Sequence, residues 1–163
     1  MHNRFAPLEE KAYEKQAIEK LSEINAVEAK SDQCGMVFHL TDAKRMLASV
    51  DKMTSAGNEV HFGPAPGDNF VRHAKTGKTI PLKKKNGVYI LEVWFIVDGQ
   101  KVSGEIIVDS GAAECVMPRG MLPSLETLAA KAGVRFAAAN GAELGNYGRK
   151  MVSFLPKGFS TQA

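Results

Sequence analysis

Dipeptides that favour tight turns cut most of this chain into short apolar runs, and that spacing leaves little room for long helices. Thr76-Gly77, Asn86-Gly87, Asp98-Gly99 and Asn140-Gly141 recur through a sequence of 163 residues. Asn-Gly and Asp-Gly readily supply the two positive-φ residues of a two-residue hairpin loop. The runs beside them suit strands. Val88–Val97 is rich in β-branched and aromatic residues, and 101–108 is predicted to return antiparallel to it across Asp98-Gly99. Val60 and Phe62 alternate with polar residues, Gly63-Pro64-Ala65-Pro66-Gly67 must be a loop, and 134–138 and 144–154 read as strands around Asn140-Gly141. The expectation is a mostly β domain of short strands.

Helical periodicity is confined to a few segments. Over 8–29, Tyr13, Ala17, Leu21 and Ile24 recur at helical spacing, with Ile18 and Val27 widening the stripe and Glu and Lys opposite. Pro7 suits the first turn, and Glu9 and Glu10 suit the positive end of the helix dipole. The pattern predicts an amphipathic helix that packs on a neighbour through its apolar face. After the apolar run 36–40, Thr41 or Asp42 is expected to cap a helix reaching about Ala56, with Gly57 as its stop. A further helix is predicted over 124–132, ended by Gly133. The division expected is a helical extension, 1–33, followed by one domain, 34–163.

Composition narrows the classes. No apolar stretch is long enough to span a membrane, and Met1-His2-Asn3-Arg4 opens without the apolar core of a secretory signal. Cys34 and Cys115 are too few for a disulfide framework and read as free thiols, so a cytoplasmic location is expected. A formal net charge of +3 is too mild to point to nucleic acid. His2, His39, His61 and His73 show no metal-ligand spacing, and neither a metal nor another cofactor is implied. Cys115 lies in an apolar run and reads as core rather than as a nucleophile, and Lys83-Lys84-Lys85 reads as a solvated hairpin end.

The chemistry-bearing stretch is Glu105-Ile106-Ile107-Val108-Asp109-Ser110-Gly111-Ala112. A buried apolar strand delivers a carboxylate into a turn where glycine permits close backbone approach and a hydroxyl can brace the loop. Small Ala112 and Ala113 leave space beside the acid. Taken alone, an ordinary strand-ending turn is as good a reading as a catalytic one.

The segment 93–118 resembles the active-site region of retroviral and retrotransposon aspartic proteases, the retropepsins. The later run Phe136-Ala-Ala-Ala-Asn-Gly-Ala-Glu-Leu-Gly-Asn-Tyr-Gly148 resembles the flap hairpin of the copia-type members. A third stretch is also copia-like, from Val37-Phe-His-Leu through Met46-Leu-Ala-Ser-Val50 to Gly87-Val-Tyr-Ile-Leu91. In the copia-type order that stretch follows the flap, whereas here it precedes the Asp-Ser-Gly motif, so the segments look permuted. The resemblance implies a retropepsin-like barrel with a flap hairpin, preceded by the N-terminal α-helix, and places residues 36–50 against the strand ending at Val108.

It also implies roles. Asp109 would be the general acid/base, Ser110 the brace of the turn and Gly111 the permissive backbone. Ala112, Ala139, Asn140 and Gly141 would face the substrate. The class needs two carboxylates sharing a proton around one water. One chain carries one such motif, so a homodimer acting on a polypeptide is expected. Two rivals remain: an inactive retroelement relic, and a small β domain binding peptide or nucleic acid through Lys83–Lys85.

Overall fold

A computed structural model describes residues 32–158 and the backbone of 160–161. The helix expected over 8–29, and nearly all of the 1–33 extension, lie outside the described residues. The described chain runs β1 (Cys34–Thr41), β2 (Leu47–Ser49), α1 (Val50–Ser55), β3 (Asn58–His61), β4 (Phe70–His73), β5 (Lys78–Pro81) and β6 (Lys83–Lys85). It continues β7 (Val88–Val97), β8 (Gln100–Asp109), β9 (Val116–Pro118), β10 (Phe136–Ala137), β11 (Glu143–Leu144), β12 (Arg149–Pro156) and β13 (Ser160–Thr161).

Six strands close on themselves in the order β12-β1-β9-β2-β8-β7, with β7 returning to β12. The first half of β7 pairs with β6 on the edge that its second half gives to β12. Closure removes most exposed strand edges, which short strands would otherwise leave open. The lumen is filled by fully buried side chains, among them Phe38, Val93, Phe95, Ile106, Met117 and Phe154. A second sheet, β3-β4-β5-β13, lies alongside.

The hairpins form where the turn dipeptides predict. Asp98 and Gly99 have φ of 49° and 76°, and Asn86 and Gly87 have 52° and 78°, the two positive values that twist-matched hairpins need. β7 and β8 then pair without interruption from Tyr89↔Val108 to Val97↔Gln100. Within this ladder the Phe95 ring lies across the backbone of Gly104, where any Cβ would collide with it. The glycine makes room for the largest buried side chain of the central hairpin.

The helical expectations fare worse. Residues 47–49 are strand rather than helix, because both edges of this segment find sheet partners in β8 and β9. Thr41 does not cap a helix; its hydroxyl accepts the Ala43 N–H at 3.0 Å. Ser49 caps the short helix that does form, accepting the Lys52 N–H at 3.3 Å, and Gly57 follows at φ 95°. No helix forms over 124–132. Leu128 instead exchanges both backbone bonds with Arg149, at 2.7 and 2.9 Å, and those groups cannot also close helical turns. The strand expected over 144–154 is two strands, parted by Gly145-Asn146-Tyr147-Gly148.

The segment order does not prevent close packing of the barrel. Of residues 36–50, Leu47–Ser49 lie directly against the strand ending at Val108 through the β2–β8 ladder, while β1 pairs with β12 and β9. β1 and β12 pair antiparallel from Cys34↔Phe154 to His39↔Arg149, so the two ends of the barrel meet without a covalent link. Adjacent ends are what a permuted chain needs.

Gly104→Ala should cost about 1–3 kcal/mol, because Phe95 must leave its position in a closed lumen. Urea denaturation would read this as a lower midpoint with an unchanged slope, and an unchanged midpoint would mean that the ring can relocate freely.

Candidate active site

The strand that carries Asp109 is held on both edges at its C-terminal end. β7 pairs with Ile106, Ile107 and Val108 on one side. On the other, β2 runs parallel in the register Leu47↔Ile107, Ala48↔Val108, Ser49↔Asp109, and Ile107 N–H donates to Met46 C=O at 2.9 Å. Beyond Asp109 the chain turns and re-enters as β9 on the far side of β2, parallel to β1 through His39↔Val116 and Leu40↔Met117. A strand distant in sequence is thus threaded between the two limbs of the Asp-Ser-Gly loop.

Within the loop, Asp109 is partly buried and its Oδ1 accepts the Gly111 N–H at 2.8 Å. Ser110 and Gly111 are exposed, and Ala112 is half-buried beside them. A methyl group at Gly111 would meet only Asp109 Oδ1, at an ordinary 3.4 Å, so nothing among the described residues crowds that backbone.

The brace comes from a residue that motif reading passed over. Ser49, fully buried, donates its hydroxyl to Ala112 C=O at 2.7 Å while the same oxygen caps α1. Its N–H donates to Cys115 Sγ at 3.3 Å. Ser110, to which the bracing role is assigned by resemblance, makes no hydrogen bond through its hydroxyl among the described residues. Burial pushes the Cys115 thiol up, the opposite of what a nucleophilic cysteine needs. Glu114 sits 3.4 Å from both His39 Nε2 and Lys52 Nζ.

Ala139, Asn140 and Gly141 come together at the exposed tip of the β10–β11 hairpin. Gly141 has φ 85°, Ala138 N–H donates to Ala142 C=O at 2.8 Å, and Asn140 Oδ1 accepts the Ala142 N–H at 3.0 Å. Among the described residues no hydrogen bond joins this tip to the Asp109 loop. The hairpin's base is anchored instead. Leu40 exchanges backbone bonds of 2.8 Å with Tyr147 and Gly148, and Asp42 accepts the Gly145 N–H at 2.8 Å and the Tyr147 hydroxyl at 2.9 Å. The Arg119 guanidinium lies over the Tyr147 ring at 4.4 Å. The Gly145 N–H, then the Tyr147 hydroxyl, hold the Asp42 carboxyl below its ordinary value. Helix-cap reasoning at Thr41-Asp42 could not find this tie, whose partners lie over a hundred residues away.

The other candidates gain little. Two of the three turn lysines are neutralised across strands, Lys83 by Glu92 at 2.7 Å and Lys85 by Glu105 at 3.9 Å. Among the described residues no cluster of three or more His, Cys, Asp or Glu could hold a metal ion.

Ser49→Ala should destabilise the protein by about 1–3 kcal/mol, since one oxygen serves both the loop and the helix cap. Ser110→Ala should stay within about 0.5 kcal/mol. Equal midpoints for the two variants in denaturant would refute the assignment of the brace to Ser49. Asp42 yields a pH test. Its folded-state value is depressed, so its contribution is full above the ordinary aspartate range and is lost only as pH falls through the lower folded value. Protection from hydrogen exchange at 143–148, taken relative to the intrinsic rate at each pH, should fall below that point in the wild type and be low at neutral pH in Asp42→Ala. Protection that ignores both changes would show that the tie does not hold the hairpin.

No protein-family model, curated protein or solved structure matches this chain, so a functional reading rests on the geometry of its own residues and on the motif resemblance.

Proposed function

We propose that the chain is a retropepsin-like aspartic endopeptidase of retroelement origin that works as a homodimer. The observation that carries this reading is the placement of Asp109. Its carboxylate stands at the end of a strand clamped on both edges and is oriented by its own turn through Gly111 N–H. Beside it lies backbone at Gly111 where, among the described residues, an added methyl group would meet only Asp109 Oδ1. A second Asp109, brought up across a two-fold axis, would complete the pair of carboxylates that amide hydrolysis requires.

In such a pair one carboxylate is ionised and the other protonated. The ionised Asp109 takes a proton from a water held between them as the water oxygen bonds to the scissile carbonyl carbon. The protonated Asp109 donates to the carbonyl oxygen. Collapse of the tetrahedral species, with proton transfer to the amide nitrogen, breaks the C–N bond and yields a carboxylic acid and an amine. Ala112 leaves room beside the reacting carbon. Ala139, Asn140 and Gly141 would close over an extended peptide and exclude water, with Asp42 and Tyr147 holding the hairpin's base.

No helix among the described residues is long and apolar enough to cross a membrane. Cys34 and Cys115 are both free thiols, in keeping with action in a reducing cytoplasm.

Cleavage of a mixed peptide library should be abolished by Asp109→Asn, which changes charge at nearly constant volume and should leave the circular dichroism spectrum unchanged. Specific activity should rise with protein concentration as dimers form, and the pH profile should be bell-shaped with an acid optimum. Equal cleavage by Asp109→Asn, full activity in a preparation shown by sedimentation to be monomeric, or no cleavage by a verified dimer would each overturn the proposal. The last result would favour a relic that keeps the fold without the chemistry.

A further inference from the structure

One residue of β1 reaches both halves of the candidate site. His39 is buried, and its imidazole packs against Phe136 with ring centroids 5.1 Å apart and planes tilted by 55°. Phe136 belongs to the stem of the hairpin, where it pairs with Leu144. The same imidazole also meets Glu114, with Nε2 3.4 Å from Oε2. Glu114 lies at the exit of the Asp109 loop, beside the Cys115 whose Sγ accepts the Ser49 N–H.

The backbone of His39 is fixed. Its N–H donates to Cys115 C=O at 2.9 Å, and β1 pairs at this residue with Val116 of β9 and Arg149 of β12. The ring is the part that can move. A charge-assisted bond from nitrogen to a carboxylate oxygen is about 2.7–2.9 Å long, so a pair standing at 3.4 Å has room to tighten. A displacement of Phe136 would carry the ring toward Glu114 or away from it. Glu114 is shared with Lys52 of α1, and the hydroxyl that caps α1 is the Ser49 hydroxyl that holds Ala112. A shift at Glu114 therefore reaches the brace of the loop.

We propose that His39 is a positioning residue that transmits the setting of the hairpin's stem to the Asp109 loop. When the hairpin closes over a peptide its stem moves, Phe136 moves His39, and the His39–Glu114 pair sets the loop in its closed-state position. The catalytic consequence rests on the endopeptidase reading; the tie between hairpin and loop does not.

Coupling of this kind is reciprocal, so a change at either end should register at the other. In the full chain, the Gly111 amide, which donates to Asp109, reports the loop in a proton–nitrogen correlation spectrum, and hydrogen exchange over 136–144 reports the hairpin. Phe136→Leu should shift the Gly111 signal, and Glu114→Ala should speed hairpin exchange about three- to tenfold. Both responses should vanish in a His39→Leu background and survive in part with His39→Gln, whose amide can still donate to Glu114. Arg135→Gln, which removes an exposed pair with Glu143 in the same hairpin, should leave the Gly111 signal in place. In a dimer that cleaves peptide, His39→Leu should lower kcat about three- to tenfold with KM within about twofold. A Gly111 signal unmoved by Phe136→Leu, hairpin exchange unmoved by Glu114→Ala, or responses that persist in the His39→Leu background would each overturn the proposal. A change confined to KM would overturn its catalytic consequence. Should the wild-type dimer cleave nothing, the endopeptidase reading falls, while the Gly111 signal and the exchange rates still decide the tie.

Discussion

The parallel pairing of Leu47, Ala48 and Ser49 with Ile107, Val108 and Asp109 is the contact on which the rest of the structure depends. It fixes the strand that ends in the carboxylate and separates the two limbs of the loop. It also places Ser49 where one hydroxyl can serve both the loop and the following helix. Parallel neighbours cannot be joined by a tight turn and demand chain from elsewhere. The short run 47–49 therefore has no stable conformation of its own to contribute. Its helical neighbours in sequence pull one way and two waiting sheet edges pull the other, and the edges win because they offer backbone partners on both sides of a buried segment.

Closure of the barrel follows from the same logic of edges. Once β2 joins β8 to β9, and β9 joins β1, the ring lacks only the contact between β12 and β7. Phe154↔Phe95 and its neighbours supply it. Because β1 and β12 are antiparallel neighbours, the chain could have been joined there and opened elsewhere with the same interior. Non-covalent ladders and a shared core, rather than chain order, specify the barrel, which is why an inverted order of segments is compatible with a packed lumen.

The candidate site divides into a rigid half and a tethered half. The Asp109 loop is held by sheet on both sides and by Ser49 beneath, a placement suited to a group that must hold position to within a fraction of an ångström. The hairpin carrying Asn140 and Gly141 is exposed at its tip and anchored only at its base, through Leu40, Asp42 and Tyr147. In the proposed endopeptidase, a fixed acid and a cover tethered at its base would admit a polymer and then exclude water.

Much of the β structure was legible because it is local. Asp98-Gly99 and Asn86-Gly87 favour positive φ through their own residue types, and the apolar content of Val88–Val97 favours burial of that strand. The Asp109 loop was legible for the same reason, as a β-branched run followed by small residues. The fate of 47–49 and of 124–132 was not. Both carry adequate helical patterns, and each was decided by a partner far away in sequence, Ile107 to Asp109 in one case and Arg149 in the other. The roles of Ser49 and Asp42 were not legible, because a serine in an apolar run and an aspartate placed as a helix-cap candidate give no sign of their ties until the fold brings Ala112 and Gly145 to them. Turn dipeptides and apolar runs thus determined by themselves where the chain reverses and which segments are buried. Only the tertiary structure decided that 47–49 is strand rather than helix and which hydroxyl braces the Asp109 loop, because those choices depend on the free backbone edges that the rest of the fold presents.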